Sequence, residues 1–212
     1  MTTTTNWTRM RKGEGGRASE APERRGRCAS GPSLGAVGLS CIYVKGGTER
    51  HPRRALARVV LVDTCGDVLK DSLCRPEGRV WDYCTEETGL SEKLLEEAPT
   101  TRQVGAELKT FVLGKLVGHS LGGVLKQLGL QVSWKNRIDL AQNPEIRDEH
   151  GGSLERAFMA SGLPFDGSPV SLARCMLSFY LQRRNAWDTR GSEPKKCRSR
   201  PARSPTRTST RS

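Results

Sequence analysis

The sharpest catalytic pattern in the chain is GHSLGG at residues 118–123. It matches the G-x-S-x-G turn on which α/β-hydrolases expose a serine nucleophile, and Asp139 and His150 follow Ser120 in the order of a Ser-Asp-His triad. Such a triad would perform acyl transfer or hydrolysis. However, only 30 residues separate Ser120 from His150, and the hydrolase fold places further strands there. A serine hydrolase is therefore one alternative function.

Metal-binding side chains form no obvious cluster in the sequence. Mg²⁺ and Mn²⁺ prefer oxygen ligands, and Asp63, Asp67 and Asp82 are the nearby acids that could supply them. The seven cysteines include no CxxC pair, and the three histidines complete no zinc-ligand spacing. We therefore predict no zinc site and reduced thiols.

The elements that must position these residues follow from the apolar periodicity. Three short runs rich in β-branched residues predict an antiparallel meander, with links at 45–54 and 64–67: residues 36–44, 56–63 and 68–74. Later segments alternate between helix and strand: helices at 91–97, 101–113, 120–128, 153–161 and 169–184, and strands at 115–118 and within 131–140. The pattern predicts a mixed α/β layer fold.

The net charge of +12 is concentrated at the two ends of the chain. Residues 1–35 hold seven Lys/Arg against three Asp/Glu, and residues 190–212 hold eight against one, which leaves +1 for the middle. Basic ends that are rich in Ser, Thr, Pro and Gly predict disordered tails, here 1–35 and 189–212. The candidate nucleic-acid-binding residues in the second tail are Lys195, Lys196, Arg198, Arg200 and Arg203.

No stretch approaches the roughly 20 apolar residues of a membrane span, and residues 1–11 lack the apolar region of a signal peptide. We therefore expect no membrane partner and a protein that is not secreted. The basic second tail suggests a nuclear or nucleolar location, with the cytoplasm as the alternative.

An ordered series of short segments then resembles a known family. The series comprises LAR at 56–58, GDVL at 66–69, RPEG at 75–78, GKLVGH at 114–119, Asp139, and AR at 173–174. Over residues 36–188 the chain resembles the DEDDh 3′-to-5′ exonucleases of the interferon-stimulated exonuclease and apoptosis-enhancing nuclease group. The resemblance implies an RNase H-like domain, with an antiparallel meander followed by parallel strands.

The resemblance also implies two divalent metal ions held by four carboxylates, with a histidine as general base. In this chain the four positions that match those carboxylates hold no acid, and we call them the vacated positions: Ser40, Ile42, Val124 and Leu172. The base position falls near Gly167. Without carboxylates we expect no bound metal, and Mg²⁺ or Mn²⁺ only if substituted ligands sustain activity.

The sequence leaves three interpretations open. The leading one is a catalytically inactive exonuclease-like protein that binds RNA, DNA or a protein partner. The alternatives are an active 3′-to-5′ exonuclease with substituted or relocated metal ligands, and a relic without a selected role. The oligomeric state is not determined by the sequence.

Overall fold

The computed structural model describes residues 35–190, with side chains as far as residue 185. The five candidate nucleic-acid-binding residues between Lys195 and Arg203 lie outside the described residues, so their role in binding stays a prediction. Within the described part, the structure is a mixed α/β domain, as predicted.

Within residues 35–190, six strands form one mixed sheet: β1 (Ala36–Thr48), β2 (His51–Val62), β3 (Val68–Leu73), β4 (Val80–Asp82), β5 (Lys115–Gly118) and β6 (Arg137–Asp139). The strand order is β3-β2-β1-β5-β6, with β4 paired to the far end of β1. The first three strands are antiparallel, whereas β5 pairs parallel to both β1 and β6. The predicted antiparallel meander followed by parallel strands is confirmed.

Strands β1 and β2 extend much further than the apolar pattern indicates. The segment 45–54, predicted as a link, is instead a continuous ladder in which Lys45 faces Arg54 and Thr48 faces His51. Apolar periodicity misses this part because backbone hydrogen bonds, and not buried side chains, hold it together. A register shift between Ile42 and Tyr43 separates the two halves of the hairpin.

The described part of the chain also contains six α-helices, which flank the sheet: α1 (Thr85–Thr88), α2 (Glu92–Glu96), α3 (Thr101–Leu108), α4 (Leu121–Leu128), α5 (Leu154–Ala160) and α6 (Pro169–Arg190). Thr100 and Gln103 form a reciprocal capping box that fixes the start of α3. A π-helical turn at Glu145–Glu149 precedes α5.

The sheet has a hydrophobic core on each face. On one face, α5 and α6 pack against Ala36, Val60 and Val62, with Phe158 and Phe179 fully buried. On the other face, α3 and α4 pack against alternate residues of the same strands, including Val37, Leu39, Val59 and Leu61. This alternation is what strand geometry requires of a sheet covered on both sides.

Several predicted boundaries were wrong. Strand β4 and helix α1 were not predicted, and α3 ends at Leu108 instead of residue 113. The strand predicted within 131–140 is only Arg137–Asp139, because Trp134–Asn136 forms a 3-10 turn.

The predicted reduced thiols are present at Cys41, Cys74, Cys84 and Cys175. Cys65 is disulfide-bonded, so the prediction was wrong there. No helix within residues 35–190 combines the length and apolarity that crossing a bilayer requires.

Candidate functional site

The central part of β1 carries the first two vacated positions, Ser40 and Ile42. Ser40 is only 2% exposed, and its hydroxyl donates a hydrogen bond of 2.6 Å to the carbonyl oxygen of Pro169 at the start of α6. Ile42 packs against the small core formed by Val44, Ala55, Ala57, Leu90 and Leu95. At this point β1 therefore presents one hydroxyl, already engaged, and one hydrocarbon side chain.

Helix α6 lies unusually close to β1 beside Ser40. A Cβ atom added to Gly38 would stand 2.6 Å from the Ala173 carbonyl oxygen and 2.9 Å from the Leu177 Cβ. Such distances leave no space for any side chain at residue 38. The glycine thus allows α6 to pack directly against β1 and to cover Ser40.

The other two vacated positions lie in the two main cores. Leu172 is 9% exposed and belongs to the core under α5 and α6, whereas Val124 is 1% exposed and belongs to the core under α3 and α4. Both side chains pack among hydrocarbon. The structure thus brings Ser40 to the start of α6, but it places Leu172 and Val124 in different cores.

The loop before α6 contains the base position and one acid that the sequence analysis overlooked. Gly167 has a φ of 85°, a backbone conformation that suits glycine. The neighbouring Asp166 accepts a 2.7 Å hydrogen bond from the Ser168 backbone N–H, which lowers the pKa of its carboxyl group. Asp166 therefore stabilises the turn into α6.

Two of the three acids considered for a relocated metal site, Asp63 and Asp82, have structural partners for their carboxylates. Asp63 is 7% exposed and accepts hydrogen bonds of 2.9 Å from the backbone N–H groups of Cys65 and Asp67. Asp82 pairs with Lys45 at 2.7 Å and accepts from the Cys84 N–H at 2.8 Å. Within residues 35–190, no group of three His, Cys, Asp or Glu side chains is arranged to hold a metal ion.

The GHSLGG segment forms the junction between β5 and α4. Ser120 adopts a left-handed φ of 56°, and its Oγ lies 3.2 Å from His119 Nδ1. Asp139 accepts hydrogen bonds from the backbone N–H groups of Ser120 at 2.7 Å and Leu121 at 2.9 Å. In a hydrolase, the N–H after the nucleophile serves the oxyanion hole. Here the Leu121 N–H already donates to the Asp139 carboxylate, which stabilises the start of α4.

Four titratable side chains near this junction are half-buried or buried: Cys41, Tyr43 and His119 are half-buried, and Cys74 is buried. Burial raises the pKa of the Cys41 thiol and of the Tyr43 hydroxyl, and it raises the pKa of Cys74 to about 12. Burial also lowers the pKa of His119, although Asp139 opposes the effect. At neutral pH these groups are therefore uncharged and behave as part of the core.

Comparison with known proteins finds relatives of one kind, although no protein-family model matches the chain. RNA exonuclease 4 of Aspergillus fumigatus is 31% identical over 155 residues, which is 70% of this chain and 50% of the relative. The apoptosis-enhancing nuclease of Rattus norvegicus is 34% identical over 115 residues, or 54% of this chain and 34% of the relative. These relatives support a DEDDh-type exonuclease domain. The chain spans about half the length, or less, of the curated relatives it matches.

Solved structures that contain exonuclease modules share the fold of this chain. The Saccharomyces cerevisiae Pan2 pseudoubiquitin hydrolase-RNA exonuclease module in complex with AAGGA RNA aligns with a TM-score of 0.55 and 17% identity, over 82% of this chain and 33% of that chain. The Neurospora crassa Pan2 catalytic unit aligns with a TM-score of 0.52 and 20% identity, over 84% and 30%. At these identities, the likeness establishes the RNase H-like fold.

The donor set at the four vacated positions does not fit a pair of divalent cations. Ile42, Val124 and Leu172 have no side-chain oxygen, and the Ser40 hydroxyl already donates to Pro169. Hard cations such as Mg²⁺ and Mn²⁺ require several oxygen ligands. We therefore derive no metal-dependent step from these residues.

Proposed function

We propose that this chain is a DEDDh-type exonuclease domain that does not hydrolyse phosphodiester bonds and acts by binding nucleic acid. The observation that carries the proposal is the burial of three vacated positions: Ser40, Val124 and Leu172 are 2%, 1% and 9% exposed. A catalytic metal site must be open to water and substrate. Here the matching residues are packed into the protein interior.

The chemistry gives the same conclusion. Two-metal hydrolysis needs ions that bind the attacking and leaving oxygens, about 4 Å apart. Carboxylates both hold those ions and balance their charge. Hydrocarbon side chains at Ile42, Val124 and Leu172 do neither, and a charged ion beside them would lose hydration without replacement.

The proposed ligand is RNA, because the relatives include proteins named RNA exonuclease 4 and the RNA-complexed Pan2 module shares the fold. Basic segments at both ends of the chain would add charge-dependent affinity for phosphate. A nuclear location of the protein belongs to the same proposal. A protein partner is the competing ligand, and the test below separates the two.

The second candidate function is an active 3′-to-5′ exonuclease, which the names of the relatives favour. It would require metal ligands other than the vacated positions. Asp63, Asp67 and Asp82 are the acids that such a site would draw on.

The test uses the purified full chain with 3′-end-accessible, 5′-labelled single-stranded RNA in Mn²⁺, with protein in excess, and resolves product lengths on a gel. A parallel titration measures RNA binding in EDTA. We expect intact RNA in the first experiment and salt-sensitive, EDTA-resistant binding in the second.

The matched control is the triple variant Asp63→Asn, Asp67→Asn, Asp82→Asn, which keeps hydrogen-bond acceptors at all three positions. Shortened RNA that disappears with this variant would establish the active exonuclease. Intact RNA with no binding in EDTA would overturn the nucleic-acid proposal and favour a protein partner.

A further inference from the structure

The far end of the β1–β2 hairpin is the most basic part of the described domain. We define the hairpin end as residues 45–54 together with Arg79, whose carbonyl accepts a 2.9 Å hydrogen bond from Gly47 N–H. Residues 45–54 contain four Lys/Arg and one acid, Glu49. The other residues of 36–189 contain 16 Lys/Arg and 18 Asp/Glu. The hairpin end is therefore positive on a domain that is otherwise slightly negative.

The backbone holds these cations close together. Lys45 pairs directly with Arg54, and Gly46 with Arg53. Like charges directly opposite one another in a ladder are destabilising. Lys45 is offset by Asp82, at 2.7 Å, and lies 5.2 Å from the centre of the Trp81 ring, whereas Arg54 lies 4.1 Å from the centre of the Tyr43 ring.

Three arginines of the hairpin end are left for an external anion. Arg50, Arg53 and Arg79 are all exposed, and none of them takes part in a salt bridge among residues 35–190. Guanidinium groups present a planar fork of N–H donors that matches phosphate oxygens. Exposed, unpaired arginines on one hairpin form the kind of surface that binds a phosphate backbone.

The hairpin end follows directly on β1 after Ile42, the second vacated position. Ile42 and Lys45 are three residues apart on β1, which corresponds to about 10 Å along a strand. A nucleic-acid strand lying over the centre of the domain would therefore reach the arginines within a few nucleotides.

We propose that the hairpin end binds the phosphodiester backbone of single-stranded nucleic acid through Arg50, Arg53 and Arg79. This inference rests on the proposed function, because it assigns a surface to the binding proposed above. It places affinity on the folded domain in addition to the basic ends of the chain.

The test is a titration of the full chain in EDTA with a labelled single-stranded RNA 20-mer, over a range of KCl concentrations. The variant is Arg50→Gln, Arg53→Gln, Arg79→Gln. Each phosphate contact on a single strand contributes a slope of about −0.7 to log K against log salt. Three lost contacts should therefore reduce the slope by about 2 and weaken binding at moderate salt by about tenfold or more.

The matched control removes the same charge from exposed cations elsewhere on the domain: Lys93→Gln, Arg156→Gln, Arg184→Gln. It should change the slope much less, and duplex DNA of the same length serves as a second ligand. If the wild-type chain binds RNA and both triple variants bind equally, the hairpin assignment is wrong while the proposed function stands. If the wild-type chain does not bind RNA, the proposed function fails first. Tighter binding of the duplex would contradict the single-strand assignment.

Discussion

The two halves of β1 differ sharply in what surrounds them. Between Gly38 and Ile42, the strand is covered by α6 and by the cores, and its only side-chain hydroxyl is bonded inside the protein. Between Lys45 and Thr48, the same strand continues as a ladder with β2 in which Lys45 and Thr48 are exposed, as are Arg53 and Arg54 on β2. One half is closed by packing, and the other is open to solvent and positively charged.

Under the proposed function, this contrast explains how an exonuclease-like domain could bind a polyanion without hydrolysing it. Loss of clustered carboxylates removes charge repulsion from the centre of a sheet and allows hydrocarbon to fill the space. Binding of a polyanion depends on exposed cations, which can lie elsewhere on the same strand. The two properties can therefore be changed separately, and the predictions below test that separation.

The largest effect is expected from restoring an acid at a vacated position. Val124→Asp places a carboxylate in the core under α3 and α4, where it has no partner. We expect a loss of about 3 kcal/mol or more in the free energy of unfolding, measured by urea denaturation.

The control for this substitution is Leu94→Asp, because Leu94 is 48% exposed and should tolerate a charge. In the Val124→Asp variant, burial should raise the pKa of the introduced carboxyl group in the folded protein above its unfolded value. The protonated form is then the better tolerated one, so the deficit against wild type should shrink as the pH falls from 7 toward 4. Wild-type stability for Val124→Asp at pH 7 would show that the position still accepts a carboxylate.

Two glycine-to-alanine variants, one in each half of β1, compare how tightly the two halves are packed. Gly38→Ala would force a contact with the α6 backbone at 2.6 Å, whereas the nearest atom to a methyl group at Gly46 is the Ala55 Cβ at 3.0 Å. We expect Gly38→Ala to destabilise the fold by about 2 kcal/mol and Gly46→Ala to have a clearly smaller effect, both measured by thermal or urea unfolding. Equal effects would mean that α6 does not seal the centre of β1.

Removal of the Ser40 hydroxyl should have a moderate effect. Ser40→Ala leaves the Pro169 carbonyl without its 2.6 Å donor, and we expect a loss of about 1 kcal/mol in unfolding free energy. RNA binding should be unchanged, because the hydroxyl is buried away from solvent. Weakened binding without loss of stability would instead assign Ser40 to the ligand site.

The smallest effect concerns the one acid beside the hairpin end. The Lys45 ammonium donates a hydrogen bond to Asp82 and lowers the pKa of its carboxyl group, so Asp82 is charged at neutral pH and offsets Lys45. Asp82→Asn keeps the acceptor for the Cys84 N–H but frees Lys45. We expect RNA affinity to rise by about twofold in the same titration, and weaker binding would argue against a phosphate contact near Lys45.

Much of the fold follows from local sequence signals. The apolar runs of β1 and β2, which are buried almost continuously, the half-buried β3 and the turn at 64–67 together predict the meander. The outer half of the hairpin is not predicted by local signals, since Gly46, Gly47 and the arginines have no apolar pattern and pair along the backbone. Strand β4 is three residues long and half-buried, which is too short to give a periodic signal.

The candidate site is less predictable than the fold. Motif spacing identifies which residues stand at the vacated positions, but it does not indicate that Ser40 bonds to Pro169, because 129 residues separate them. The hairpin end depends on β1 and β2 pairing at residues where polarity suggested a loop. Both features arise from tertiary contacts that local patterns do not encode.

The most direct measurement is the binding of Mn²⁺ to the purified full chain, followed by electron paramagnetic resonance of the free ion. If packing closes the vacated positions, the free Mn²⁺ signal should match that of buffer up to submillimolar concentrations, and in the presence of RNA it should match that of RNA alone. Stoichiometric uptake of one or two ions per chain, lost in the triple variant Asp63→Asn, Asp67→Asn, Asp82→Asn, would contradict the inactive interpretation and establish a relocated metal site.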